Sequence, residues 1–484
     1  MTDFLLGTAQ DIAAMIHNRD ISAVEMLHAH FDRIDQMNPT LNAVIWQDRD
    51  AALSQAKMCD AELAAGQTRG PLHGVPVTVK ESFDLAGSPT TWGMPEWAGN
   101  IRPTDSDAVQ RYRTAGAVVF GKTNVPLKLV EWQTFNAVYG TTSNPWDVTR
   151  TPGGSSGGSA VALATGMSAL EVGSDIGSSI RNPAHFCGVF GLKPTWNAVS
   201  KQGHLPEGWY GDIDISVAGP LARSASDLTL ATDILAGPSR FETSQYALAL
   251  PADSRTRLFD FKVAMMPGDN VSPIDADYYA AMMTFGDTLE RAGATVVWNQ
   301  KPKIDSAAHF EMYLKMLGAA LSFGMTDEQV AAADAAMIDA PEDVKNIGGM
   351  RVSGQSISHR DWLRLDNQRR IARLAFDAFF EDIDVLICPV ATGPAFIKDE
   401  VGLRPFRRID VNGGLQLETQ QLFWSGYSGV AGLPSVVGPM DTVRGLPVGY
   451  QAITGHGRDY TALAFARAVE AEICGFTPPP MLRA

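Results

Sequence analysis

The sequence predicts an α/β protein in which a central mixed sheet is covered by helices on both faces. Residues 75–79 and 115–120 are β-rich runs, and a helical stretch at 107–114 precedes the second, the order of a parallel strand–helix–strand unit. Residues 261–266, 278–291 and 294–298 repeat strand, helix and strand further along. The 484 residues are 45% hydrophobic, which suffices for a large core. One domain over 1–484 is expected, because α/β enzymes often exceed the usual domain length as a single unit.

The elements follow in chain order. Ser22 with Glu25 makes a capping box, and Val24, Leu27, Phe31 and Ile34 recur at helical spacing, so about residues 1–70 form a helical N-terminal region. Its second helix, 51–65, stops near Gly66 and Gly70. Residues 217–224 read as extended and are followed by a helix at 226–235 that Gly237-Pro238 closes. From 306 to 360 the pattern loosens into an Ala-rich helix near 330–336 and an acidic, Gly-containing loop near 340–349, and a variable lid is expected there. Residues 362–380 are helical, 385–388 form a buried strand ended by Pro389, and 436–438 pair with 445–453.

Composition excludes several function classes. Lys and Arg total 39 against 54 for Asp and Glu, and a net charge of −15 argues against binding nucleic acid or an anionic membrane. No apolar run is long enough to span a bilayer, and the N-terminus lacks the basic start of a signal peptide. Cys59, Cys187, Cys388 and Cys474 have neither zinc-ribbon nor disulfide-framework spacing, so a cytoplasmic location is expected.

The chemistry concentrates between Gly153 and Arg181. Gly153-Gly154-Ser155-Ser156-Gly157-Gly158 and Gly173-Ser174-Asp175-Ile176-Gly177-Ser178-Ser179 are two small-residue loops, and the Ala- and Leu-rich segment 159–169 between them reads as helix. Glycines free the backbone either to wrap a phosphate or to aim amides at an oxyanion, and the hydroxyls favour the second. A P-loop pattern at Gly116 to Thr123 is rejected, because its four central residues are apolar strand formers where a turn is required. A Gly-x-Ser-x-Gly elbow around Ser155 is also rejected. Asn144-Pro145 and Thr151-Pro152-Gly153 read as turns where the elbow needs a strand, although His204, His309, His359 and His456 lie downstream. His73 and His185 have no third ligand spaced with them, so no metal is expected.

On these residues the chain resembles the amidase signature family of serine amidohydrolases. The resemblance extends through residues 74–80, 121–124, 188–194, 218–223, 384–389 and 432–451. It implies the amidase signature fold and a catalytic triad of Lys80, Ser155 and Ser179. Ser179 would be the nucleophile, Ser155 the serine after a cis peptide bond, and Lys80 the base. It also implies an oxyanion hole from the backbone of Ile176, Gly177 and Ser178, joined by Ser179. Gly154, Ser156, Asp175 and Arg181 are expected to support the loops, and Trp132, Trp209 and Tyr210 to line the substrate pocket. The sequence departs from the family with Ser178, where glycine is common, and with Glu81 after Lys80, where aspartate is common. Neither metal nor organic cofactor is implied. The expected partner is a small-molecule amide, ester or carbamate, with a homodimer admitted. The chain also resembles the A-type subunit of a tRNA-dependent amidotransferase, which would make it part of a larger assembly.

Overall fold

A computed structural model of the chain describes residues 3–402 and 404–482. The N-terminal region is helical as its caps dictate. Ser22 closes a capping box on the helix Ala23–Leu41, and Asp48 caps Arg49–Ala64. Three strands, β1 (Val44–Gln47), β2 (Pro76–Lys80) and β3 (Val118–Thr123), then pair in the order β1-β3-β2. β2 and β3 are parallel and joined by the helix Asp107–Thr114, as the strand–helix–strand order requires. They form a small sheet of their own and are not part of the large one. A short ladder, β4 (Phe135–Asn136) with β5 (Gly140–Thr141), leads into the loop at 153.

The large sheet has eight strands: β6 (Glu171–Asp175), β7 (Phe190–Lys193), β8 (Val217–Ala222), β9 (Lys262–Met265), β10 (Thr295–Trp298), β11 (Val385–Cys388), β14 (Ser435–Val443) and β15 (Leu446–Ile453). Between β11 and β14 lies a separate hairpin, β12 (Arg408–Val411) and β13 (Gly414–Leu417), turned at Asn412-Gly413. The sheet order is β10-β9-β11-β15-β14-β7-β8-β6. β10, β9 and β11 run parallel and the remaining neighbours antiparallel, so the sheet is mixed. The edge strand β6 lies beside β2, which brings the C-terminal ends of both to one place.

Two stretches differ from their sequence patterns. The segment after Ser155 is helical only over Gly157–Ala164, because Gly166 turns left-handed (φ 72°) and the chain re-enters the sheet as β6. Residues 342–349 are a helical turn, Glu342–Val344, followed by a π-helix, Lys345–Gly349, where an acidic loop was expected. The helix that follows the second stretch is fixed by packing. The helices Ser306–Leu321 and Met350–Gln355 touch backbone to backbone, since a Cβ on Gly318 would sit 1.9 Å from the Arg351 carbonyl oxygen and one on Gly354 2.0 Å from that of Lys315. Substituting Gly318 with Ala therefore forces the helices apart. Overpacking of this kind costs about 1–3 kcal/mol, more than the gain in helix propensity, and a lower urea midpoint of unfolding is the expected outcome.

Candidate active site

β2 delivers its last residue, Lys80, into the interior, where it is fully buried. Its Nζ donates to Ser155 Oγ (2.7 Å) and to Ser174 Oγ (2.9 Å). Ser155 follows the one cis peptide bond among the described residues, Gly154-Ser155. The Gly154 N–H donates to Asn182 Oδ1 (3.2 Å) and the Ser156 N–H to the carbonyl of Ser179 (3.1 Å), which ties the two small-residue loops together. Ser155, Ser174 and Ser179 all line one cavity of about 500 Å³. Ser179 Oγ makes no hydrogen bond among the described residues and faces that space; the two serine hydroxyls do not touch directly.

The loop between β6 and the helix Arg181–Cys187 is wound around Asp175. The carboxylate accepts the N–H groups of Ser178 (2.9 Å), Ile180 (3.1 Å) and Arg181 (3.3 Å), and it is gripped by the Arg181 guanidinium at 2.8 and 3.0 Å. Burial pushes the Asp175 carboxyl upward, but Arg181, Lys193 and the Ile180 N–H together outweigh it and hold the group below the usual range. The carbonyls are pinned as well. Tyr313 Oη donates to the Ile176 carbonyl (3.0 Å) and Trp132 Nε1 to that of Gly177 (2.6 Å). A trans peptide sets its N–H opposite its C=O, so each pinned carbonyl aims the next N–H away from its tether.

Ser178, expected to supply an oxyanion donor, has its N–H turned to Asp175 instead. The N–H groups of Ile176, Gly177 and Ser179 make no hydrogen bond among the described residues. Ser178 has φ 74°, the left-handed region, which accounts for the preference for glycine there. Trp132 does not line the cavity but lies under the loop as its tether. Trp209 does line it, whereas Tyr210 is 84% exposed and borders a different surface hollow. Ser156 is buried with its hydroxyl unpartnered.

Ser174 is the residue that sequence reasoning missed, although its hydroxyl stood in the Gly173-Ser174-Asp175 run. The pocket also contains His204, stacked on Phe83 (4.3 Å between ring centres) and bonded through Nδ1 to the Ser82 carbonyl. Burial, then the charge of Lys80, pushes its pKa down to about 3, so the ring is neutral. His185 is held between Gly449 N–H and the Gly393 carbonyl, and His309 against the Tyr427 carbonyl. Cys59, Glu62 and His73 lie together, but the His73 ring accepts from Arg69 N–H and donates to the Cys59 carbonyl, leaving no lone pair for a metal. Glu81 turns away from the serines and accepts the N–H groups of Thr91 and Trp92.

A family model described as Amidase matches residues 25–463. The chain belongs to the amidase family. This amidase is a hydrolase acting on carbon–nitrogen bonds of amides. It is 33% identical over 479 residues, 96% of this chain and 86% of the relative, to an indoleacetamide hydrolase of Bradyrhizobium diazoefficiens. It is 31% identical, over 92% of both chains, to the A-type subunit of a glutamyl-tRNA(Gln) amidotransferase of Rhodopirellula baltica. Among solved structures, a peptide amidase in complex with the competitive inhibitor chymostatin superposes with a TM-score of 0.79 at 26% identity, covering 98% of the amidase described here and 99% of the other chain. No helix among the described residues is long and apolar enough to cross a membrane.

Two substitutions test the loop. Ser178→Gly relieves a left-handed conformation costing about 1–2 kcal/mol and removes a buried, unpartnered hydroxyl, so a higher unfolding midpoint is expected. Asp175→Asn leaves Arg181 buried without its counter-charge; a loss of about 3–5 kcal/mol in denaturant titrations is expected.

Proposed function

We propose that the chain hydrolyses a carboxylic amide through an acyl-enzyme on Ser179, with Lys80 as the base and Ser155 as the relay. The observation that carries this reading is a buried lysine 2.7 Å from a serine hydroxyl, at the wall of a cavity that a second serine also lines. Burial lowers the Lys80 pKa to about 7 against the opposing pull of Asp175, Glu81 and Glu171, so an appreciable fraction is neutral near pH 7. Neutral Nζ takes the Ser155 proton, Ser155 takes that of Ser179, and Ser179 Oγ attacks the amide carbon. The gap between the two hydroxyls closes with substrate in place, as such contacts commonly do.

The N–H groups of Ile176, Gly177 and Ser179 are free to receive the oxyanion, each donor of this kind contributing about 3–4 kcal/mol. Collapse breaks the C–N bond while the proton returns along the same path to the leaving nitrogen. Water, deprotonated by the same base, then releases the carboxylate. The cavity is walled by Trp92, Trp97, Trp209 and Phe323, which favours an apolar or aromatic acyl group, and one relative is an indoleacetamide hydrolase. Residues 318–329, within the segment read as a lid, supply part of that wall.

The relatives named as A-type amidotransferase subunits favour a second reading, in which the chain works within a complex on glutamine. Turnover of simple amides by the purified chain alone decides between the two. Under the first reading Ser179→Ala abolishes that turnover in a folded protein. Lys80→Ala lowers kcat/KM by about 10²- to 10⁴-fold, and Lys80→Arg is nearly as damaging because a guanidinium stays protonated. The active form is the deprotonated lysine, so kcat/KM rises as pH increases through about 7 and levels off above it. A pH–rate profile that falls over this range, or an active Lys80→Arg enzyme, overturns the assignment.

A further inference from the structure

The cavity holds a charge that the reaction does not use. Arg351, on the helix Met350–Gln355, lines the same space as Ser179, and its guanidinium makes neither ion pair nor hydrogen bond among the described residues. Its carboxylate neighbours are already taken. Glu131 and Glu418 are bound by Arg407 (2.7 and 3.1 Å) and by Arg404 (3.8 and 3.3 Å), Arg407 also lies 3.7 Å from Asp399, and none of these carboxylates pairs with Arg351. Burial, then the charge of Arg404, lowers the Arg351 pKa to about 10, so it stays cationic at neutral pH. The other charged side chains on the cavity wall are Lys128, itself cationic, and Glu207, which is engaged by Arg102.

The fold also constrains where this cation stands. The backbone of Arg351 is wedged against Gly318, and Gly318 lies five residues along its helix from Tyr313, the tether of the oxyanion loop. At 1.5 Å per residue that separation is about 7.5 Å along the helix axis, and Arg351 lines the same cavity as Ile176 and Ser179. In a protein of net charge −15, an unpaired guanidinium inside a largely apolar cavity awaits a planar anion, which its fork matches bidentately.

We propose that Arg351 is a specificity-determining residue, selecting amide substrates that carry a carboxylate at a distance from the amide being cut. This rests on the cavity being the amide-binding site proposed above. The test is a matched pair: 3- or 4-carboxyphenylacetamide against the corresponding nitrophenylacetamide, equal in shape but neutral, with ammonia release as the readout. The expected result is at least a 10-fold higher kcat/KM for one carboxylate over its nitro twin. That ratio should collapse toward one in Arg351→Met and be partly kept in Arg351→Lys. Binding of the same pair to Ser179→Ala, measured by calorimetry, reports the preference without turnover, with Kd for the carboxylate rising at least 10-fold when Arg351→Met is added. Equal handling of the two partners by the unsubstituted enzyme, or a ratio unchanged in both Arg351 variants, overturns the proposal. Persistent turnover in Ser179→Ala instead sinks the Ser179 reading, and the carboxylate-to-nitro ratio still judges Arg351.

Discussion

The buried pair between Asp175 and Arg181 is the constraint on which the site depends. Isolated charges in the interior are unfavourable, and an ion pair of this kind is retained only when further hydrogen bonds satisfy it. Here they do. Asp175 takes three backbone N–H groups of its own loop, and Arg181 Nη1 reaches the Ser425 carbonyl, Ser428 Oγ and Gln451 Oε1. One interaction thus shapes the turn that carries Ser179 and anchors it to β15 and to the helix Leu422–Gly429. Because Asp175 occupies the Ser178 N–H, the neighbouring N–H groups are the ones left free.

Burial alone does not single out Lys80. Lys122 and Lys193 are buried like Lys80, and desolvation lowers them to about 8 and about 7. Lys122 donates to the Pro89 carbonyl and Thr90 Oγ1, and Lys193 to the carbonyls of Pro194 and Leu433, so neither has a hydroxyl that opens on the cavity. Lys80 differs by its partners, Ser155 and Ser174. Behind it Glu171, which carries no charge while protonated, has its pKa pushed up to about 8 by burial and bonds to Thr78.

The cavity wall is assembled from distant parts of the chain. Trp92 and Trp97 come from the loop after β2, Trp209 from the loop before β8, Phe323 from the turn just after the helix Ser306–Leu321, and Arg351 from the helix packed against that one through Gly318 and Gly354. The last contribution rests on close backbone contact, which leaves little freedom to reposition Arg351. The π-helical turn directly before it shifts the helical register by one residue, and such turns recur at functional sites.

Much of this was legible in the linear sequence, because caps, periodicity and glycine punctuation are local signals. The capping box at Ser22, the helix Asp107–Thr114 and the strand Val385–Cys388 follow from residues within a few positions of one another. The serine loops and Lys80 were visible too, through their resemblance to a family. What local patterns could not carry is which groups meet. Lys80 and Ser155 are 75 residues apart, and Arg181 and Gln451 are 270 apart. The tethering role of Trp132, the commitment of the Ser178 N–H to Asp175, the contact of Ser174 with Lys80 and the exposure of Tyr210 are all of this kind. A hydrogen bond has a direction and a carboxylate has few acceptor sites, so these outcomes depend on three-dimensional competition among partners, which sequence spacing does not encode.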